Sequence, residues 1–495
     1  MNIKSLLAKP FATYIYIGIR KGMTTAIADQ ETILKELLKT GKTTDFGKEH
    51  HFADVQTDAQ FTQAVPVRDY EQFRPYIDLI KEGRHNVLWK GKPLYLAKTS
   101  GTTSGVKYIP ISKESISNHI NTARNALLCY IAQSGNTAFT GGKMIFLSGS
   151  PELDRVKDIP TGRLSGIVNH HIPRYLRNNQ LPSYETNCIE DWETKLDKIV
   201  GETLQQDMSL ISGIPPWMQM YFDRLHLKTG KKIKDLFPNL SVIVHGGVNF
   251  EPYRAKLFES IGAKIDSIET FPASEGFIAF QASREEEGLL LNTDSGIYFQ
   301  FIRTSELSED HPERLCLRDV KVGENYALII NNNAGLWGYN IGDTVRFVSI
   351  DPYRILVTGR VKHFISAFGE HVIGEEVEYS LMKAAEEENI HITEFTVAPV
   401  IGSGNSYHEW FVEFENKPED LQRFASKVDH HLRKKNIYYD DLISGHILSP
   451  LNIRPVRKNG FIDYMKSIGK LGGQNKVPRL SNDRKVAAVL ERFAE

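Results

Sequence analysis

The stretch from Thr99 to Lys107 reads Thr-Ser-Gly-Thr-Thr-Ser-Gly-Val-Lys, with five hydroxyl side chains, two glycines and a closing lysine. Glycines let backbone N–H groups converge on an anion, hydroxyls add donors, and lysine supplies a point charge to phosphate oxygens. It lacks the Gly-x4-Gly-Lys-Ser/Thr order of a Walker A loop. On its own it fits either a phosphate cradle or a flexible turn.

Three further segments carry chemistry. Glu269-Thr-Phe-Pro-Ala-Ser-Glu275 ends in a carboxylate able to hold Mg²⁺ beside nucleotide phosphates, or to lie solvated in a loop. In Leu336-Trp-Gly-Tyr-Asn-Ile-Gly-Asp343, followed by Thr358-Gly-Arg360, the aspartate fits a ribose acceptor or the Gly-Asp corner of a hairpin. Arg360 is an anion contact or a surface residue. Near the C-terminus, Lys470-Leu-Gly-Gly-Gln-Asn-Lys-Val-Pro-Arg479 fits a lysine-bearing contact loop or a basic tail.

The elements that must position these segments follow from hydrophobic spacing. Ile33, Leu34, Leu37 and Leu38 recur at helical intervals within a helical region over 1–60, and a further helix is expected near 76–80. The apolar run Leu94–Ala97 predicts a strand feeding the Thr/Ser/Gly stretch, and Ser115 to Ala132 an amphipathic helix. Strands are expected at 143–147, 240–245, 326–330 and 353–357, with helices between them at 192–204 and 252–261. This alternation predicts an α/β protein with substantial sheets. Glycines and basic residues cluster over 358–375; beyond them lie a charged helix (375–388), a strand (409–414) and a helix rich in Lys and His (421–435). The expected domains are a large N-terminal α/β unit, residues 1–359, with sheets flanked by helices, and a small mobile α+β unit, residues 360–495.

Composition narrows the function classes. Sixty Lys+Arg against 61 Asp+Glu leave a formal charge of −1, which gives no reason to expect nucleic acid or an anionic membrane as partner. The three cysteines, Cys129, Cys188 and Cys316, form no CxxC pair, so neither a disulfide framework nor a structural zinc site is expected. They fit a reducing cytoplasm. Lys9 and Pro10 break the first apolar run, so no signal peptide is expected, and no run reaches membrane-span length. A cytoplasmic location follows as the expectation.

Taken in order, the four segments resemble the adenylate-forming superfamily, and the chain is most similar to the auxin-responsive (Gretchen Hagen) acyl acid amido synthetases. The likeness begins at Val65-Pro-Val-Arg-Asp-Tyr-Glu71, Ile77 and the Lys81-Glu-Gly83 turn, and reaches the loop at 99. It continues through Ala273-Ser-Glu275, Trp337-Gly-Tyr-Asn-Ile-Gly-Asp343 and Lys476-Val-Pro-Arg479, nearly the full length. The resemblance implies a two-step reaction: a small carboxylic acid attacks the α-phosphate of ATP to give an acyl-adenylate and pyrophosphate. An amine, usually an amino acid's, then displaces AMP to form an amide. It implies ATP and Mg²⁺ as cofactors, and phosphate contacts from Thr99, Ser100, Gly101, Thr102, Thr103 and Lys107. Ser274 lies near the nucleotide, Glu275 ligates Mg²⁺, Asp343 holds ribose, Arg360 contacts ribose or phosphate, and Lys476 arrives from a rotating small domain hinged near Arg360–Lys362. Lys107 and Lys476 are the catalytic lysines of that reading.

Three departures accompany the likeness. The loop is one residue shorter between Gly105 and Pro110 than in the plant pattern, Asn340 stands where arginine precedes Gly-Asp, and Asn118 and His119 stand where basic residues line the plant acyl pocket. His170 and His171 read as structural or as facing the acyl or amine site. Two other functions compete: thioester formation with CoA or a carrier protein, and a non-catalytic nucleotide-binding scaffold.

Overall fold

A computed structural model describes residues 3–100, 106–172, 177–247, 250–307, 309, 312–360, 364–365, 367–370, 372–402, 405–468 and 477–495. Two helices open the chain, Ile3–Met23 and Ala26–Gly41, the second burying Ile33, Leu34, Leu37 and Leu38 on one face. The helix Tyr70–Lys81 starts on a reciprocal cap: the Asp69 carboxylate accepts from the Gln72 N–H, and the Gln72 side chain accepts from the Asp69 N–H. Its Tyr70, Phe73, Ile77 and Ile80 are buried at helical spacing.

β1 (Tyr95–Ser100) and β2 (Val106–Ile111) form an antiparallel pair. With β4 (Asp154–Val156) and β5 (Ile159–Gly162) they make a four-stranded sheet, β5 running parallel to β1. The main sheet has twelve strands. One block is parallel: β3 (Lys143–Phe146), β6 (Gln180–Leu181), β7 (Met208–Ser212), β8 (Val242–Gly246) and the start of β9 (Asp266–Ala273). β7 and β8 are buried along most of their length, as suits parallel strands covered on both faces. Helices Trp192–Thr203, Pro215–Thr229 and Glu251–Ile261 supply apolar side chains to the surrounding core.

An antiparallel block continues the sheet through β10 (Gly276–Phe280), β11 (Leu289–Leu291), β12 (Ile297–Arg303), β13 (Leu315–Cys316), β14 (Asn325–Asn332), β15 (Tyr339–Ile350) and β16 (Tyr353–Arg360). The strand order across the whole sheet is β13-β12-β14-β15-β16-β11-β10-β9-β8-β7-β3-β6. A smaller C-terminal unit follows, with the hairpin β17 (Phe364–Ile365) and β18 (Val372–Ile373). After it comes a three-stranded sheet of β19 (Ile392–Val400), β20 (Tyr407–Phe414) and β21 (Asn452–Val456). Helices Gly374–Glu388 and Leu421–Lys435 belong to this unit. The molecule is therefore α/β, with a large N-terminal and a small C-terminal domain. Among the described residues no helix is long and apolar enough to cross a membrane.

The expected elements are met with small shifts at their ends. The strand expected at 94–97 extends to Ser100, and the helix expected from Ser115 runs Ile116–Ser134, closing on Gly135 at φ 68°. Glu269–Ala273 lies within β9, and Ser274 and Glu275 form the turn before β10.

Candidate active site

The carboxyl ends of β7, β8 and β9 open onto one edge of the parallel block, the place where α/β sheets bind ligands. Two contacts shape it. The Thr270 hydroxyl donates to the His245 carbonyl at 2.9 Å, and a Cβ on Gly246 would lie 2.3 Å from the Thr270 carbonyl oxygen, so only glycine fits that strand end. The His245 ring stacks on Phe250 with centroids 3.9 Å apart; burial, helped by Arg254, pushes its pKa down to about 3.

β9 turns into β10 through Ser274 and Glu275, both half-buried. Neither has positive φ, so this two-residue turn is not of the primed type that matches strand twist. It is held from outside instead. Asn332 Nδ2 donates to the Glu275 carbonyl at 2.7 Å, and Asn118 Oδ1 accepts from the Phe277 N–H at 2.6 Å. Asn118 Nδ2 completes the bracket on the Phe277 carbonyl and Ser295 Oγ.

The Asn332 amide oxygen also accepts from the N–H groups of Ala334 and Leu336, 3.0 Å each, and so sets the turn that starts the Leu336–Asp343 segment. Its neighbour Asn331 accepts from the Gly338 N–H at 2.5 Å. One pair of buried asparagines thus ties the Glu275 turn to the Asp343 segment. Along β15, three residues, Ile341 to Asp343, lie opposite the single residue Leu328, between the pairs Ile329↔Asn340 and Ala327↔Thr344. This bulge has Gly342 at φ 86° and redirects the half-buried Asp343. Asn340, in the arginine's position, accepts from the Gly342 N–H at 2.8 Å and stabilises the bulge. Asp343 pairs with Arg360 across the β15–β16 ladder, so the fold places these two positions directly opposite one another.

The hairpin β1–β2 carries the Thr/Ser/Gly stretch. Thr99 pairs with Lys107 and Ser100 with Val106, which makes residues 101–105 the connection between the strands. Gly101, Thr102 and Thr103 lie outside the described residues, as do Lys362 and the segment from Lys470 to Lys476. Lys107 Nζ lies over the Tyr70 ring, 5.5 Å from its centroid, and the Tyr70 hydroxyl accepts from the Tyr108 N–H at 2.9 Å. Two residues back, the Arg68 N–H donates to the Gly338 carbonyl and the Asn340 N–H to the Arg68 carbonyl, both at 2.9 Å. On the other side, Ser112 Oγ donates to the Asn333 carbonyl at 2.7 Å.

A continuous path therefore runs from the Thr99–Lys107 hairpin through Tyr70 and Arg68 to Gly338, then through Asn331 and Asn332 to Glu275. Of the residues singled out by type, the fold brings Thr99 and Lys107 together, and Asp343 and the Arg360 position together; the asparagine pair links the latter group to Ser274 and Glu275. Asn332 escaped notice in the sequence. Its only signal is a run of three asparagines, Asn331 to Asn333, closing the apolar stretch Tyr326–Ile330.

His119 and Asn118, expected near an acyl pocket, are both buried. Asn118 clamps the β9–β10 hairpin, and burial pushes the His119 pKa down to about 4. His170 Nε2 meets the Pro151 carbonyl at 2.7 Å and His171 Nε2 the Tyr95 hydroxyl at 3.0 Å, so both are engaged structurally. Among the described residues, no group of three or more His, Cys, Asp or Glu is arranged to hold a metal.

The GH3 family N-terminal domain matches residues 18–195, its central domain residues 290–360 and its C-terminal domain residues 375–485. A jasmonoyl–L-amino acid synthetase of Nicotiana attenuata is 21% identical, covering 91% of this chain and 90% of its own. An indole-3-acetic acid-amido synthetase of Arabidopsis thaliana is 22% identical, covering 96% and 94%. The solved GH3.15 acyl acid amido synthetase superposes with a TM-score of 0.62 at 16% identity, over 97% of this chain and 96% of that one. A 2-hydroxyisobutyryl-CoA ligase in its thioesterification state gives 0.60 at 12%, over 95% and 92%. These likenesses establish the adenylate-forming fold. The chain belongs to the GH3 family.

Proposed function

We propose that this GH3-family chain is an ATP-dependent acyl acid amido synthetase: it adenylates a small carboxylic acid and passes the acyl group to an amine, that of an amino acid. The observation that carries this reading is the path of hydrogen bonds and short chain segments joining the Thr99–Lys107 hairpin to the segment bearing the Asp343 bulge and to the Glu275 turn, which follows the carboxyl end of β9. A nucleotide-dependent acyl transfer needs those three groups on one rigid frame. The activities of the two plant relatives, both named as amino acid or amido synthetases, support the same choice over a thioester-forming ligase.

In the first step the substrate carboxylate attacks the α-phosphorus of ATP and pyrophosphate leaves. Negative charge spreads over phosphoryl oxygens, and preoriented donors lower that barrier electrostatically. Thr99, Ser100, Gly101, Thr102, Thr103 and Lys107 are the donors in this reading, Ser274 lies beside the nucleotide, Asp343 holds the ribose hydroxyls, and Arg360 adds a ribose or phosphate contact. Glu275, half-buried at its turn, offers one carboxylate to Mg²⁺, and substrate phosphates would complete the shell, as is common for this hard cation. When bound it would neutralise phosphate charge. In the second step the amine attacks the acyl carbonyl, AMP leaves and the amine's proton is lost to solvent or base. Lys476 would reach the site from the C-terminal unit, which in this reading spans residues 360–495 and turns about a hinge near Arg360–Lys362.

Acid-dependent ATP–pyrophosphate exchange over a panel of carboxylic acids tests the reading. At least one acid elicits exchange from the wild type, and Glu275→Ala or Lys107→Ala lowers it by about 100-fold, the scale of losing one oriented electrostatic contact. Full exchange in both variants would overturn the site assignment.

A further inference from the structure

The helix Ile3–Met23 is apolar on two faces. Ala8, Ala12, Ile15, Tyr16, Ile19 and Met23 pack into the core shared with helix Ile116–Ser134, and Ala12 is fully buried. The opposite face looks outward: Leu7 is 62% exposed, Tyr14 73% and Ile17 63%, with Leu6 and Phe11 also exposed. At about 3.6 residues per turn, Leu7, Phe11 and Tyr14 form one outer row and Leu6 and Ile17 the row beside it. A contiguous apolar face left exposed commonly marks a site of contact with a partner or a membrane.

Charge identifies that partner. The helix carries Lys4, Lys9, Arg20 and Lys21 and not one Asp or Glu, in a chain whose formal charge is −1. Lys9 and Arg20 fall along the seam between the outer and inner faces, at the border of the exposed apolar rows. Helix Ile116–Ser134, on which it rests, adds Arg124 and likewise has no carboxylate. An exposed apolar face on a helix whose own charged side chains are all cations, Lys21 within the face and Lys9 and Arg20 at its border, fits the interface of an anionic bilayer: aromatic and leucine side chains enter the headgroup boundary, and the basic groups meet lipid phosphates. Self-pairing through this face would set cation against cation.

We propose that the outer face of helix Ile3–Met23 seats the protein on an anionic lipid surface, as a peripheral contact that spans nothing. The balanced net charge hides this patch because the compensating carboxylates lie elsewhere in the chain.

The test is co-sedimentation of the full chain with vesicles of phosphatidylcholine alone or mixed with phosphatidylglycerol, at low salt. The wild type partitions at least about tenfold more strongly onto the anionic vesicles. Leu7→Gln/Tyr14→Gln/Ile17→Gln abolishes that binding, and Lys9→Gln/Arg20→Gln removes the preference for anionic lipid. In both variants the melting temperature and vesicle-free pyrophosphate exchange are unchanged. Equal binding to neutral vesicles, or full binding by the triple variant, overturns the proposal. So does a wild-type dimer that the triple variant converts to monomer, which would assign the face to a second copy.

Discussion

His119 illustrates how a single side chain ties stability to pH. It is 3% exposed, and its Nδ1 has no hydrogen-bond partner, so burial alone lowers its pKa from 6.5 to about 4. Above pH 6.5 the ring is neutral in the folded and unfolded chain alike. Between 6.5 and about 4 only the unfolded chain takes up the proton, so stability falls as pH falls, by ~3 kcal/mol over the full window. Denaturant unfolding at pH 7.5 and 5 measures this. His119→Leu loses less stability between those pH values than the wild type, whereas an unchanged pH slope would mean the ring is not what senses it. The site carboxylates are a different case: Glu275 and Asp343 are half-buried on turns and bulges, and their assignment rests on chemistry rather than burial.

At the scale of elements, the decisive feature is that the β9–β10 turn is held by side chains from distant elements, Asn332 at the end of β14 and Asn118 on helix Ile116–Ser134. Asn332 is 1% exposed, donates to the Glu275 carbonyl and accepts from two N–H groups. Asn332→Ala leaves those buried backbone groups unpaired and costs about 2–4 kcal/mol, read as a lowered denaturant midpoint. Pyrophosphate exchange falls with it even under conditions where the variant remains folded, because the Glu275 turn loses its anchor; unaltered exchange would show that the bracket is structural only. This dependence was out of reach of the sequence. Hydrophobic spacing gives the Tyr70–Lys81 helix and the β3 and β8 strands directly, since their own residues decide them. The turn at Ser274–Glu275 is decided by asparagines at 118 and 332, far away in the chain. The Asp343 bulge was half legible: Gly-Asp announced a special backbone, but a hairpin corner and a bulge share that signature until the partner strand is known.

At the scale of the whole molecule, the two domains meet through both apolar and charged contacts. Phe250, Tyr253 and Leu257 of the large unit share one core with Phe368, Val372 and Val377 of the small one. Arg163 follows β5, which pairs with β1 up to Ala97, so it sits beside the strand leading into the Thr99–Lys107 stretch. Its guanidinium pairs with Asp441 and lies 5.4 Å from the Tyr438 ring centroid, reaching the small unit. A Cβ on Gly445 would come within 2.9 Å of the Trp192 ring, so the same contact is tight. Arg163→Ala costs only about 1 kcal/mol, since the pair is partly exposed. In the proposed reaction the small unit turns between the two half-reactions, so loss of the pair shifts the ratio of amide formation to pyrophosphate exchange by about fivefold, the equilibrium change that ~1 kcal/mol supports. A ratio equal to the wild type's would mean the pair plays no part in that turn of the small unit.

The central claim, amide formation through an acyl-adenylate, is tested most directly by product mass. The wild-type chain is incubated with ATP, Mg²⁺, an acid that supports pyrophosphate exchange, a mixture of amino acids and, in a parallel reaction, CoA. The account predicts AMP together with a product whose mass is acid plus amino acid minus one water, formed equally well without CoA. A thioester formed only when CoA is present, or ADP in place of AMP, would contradict it.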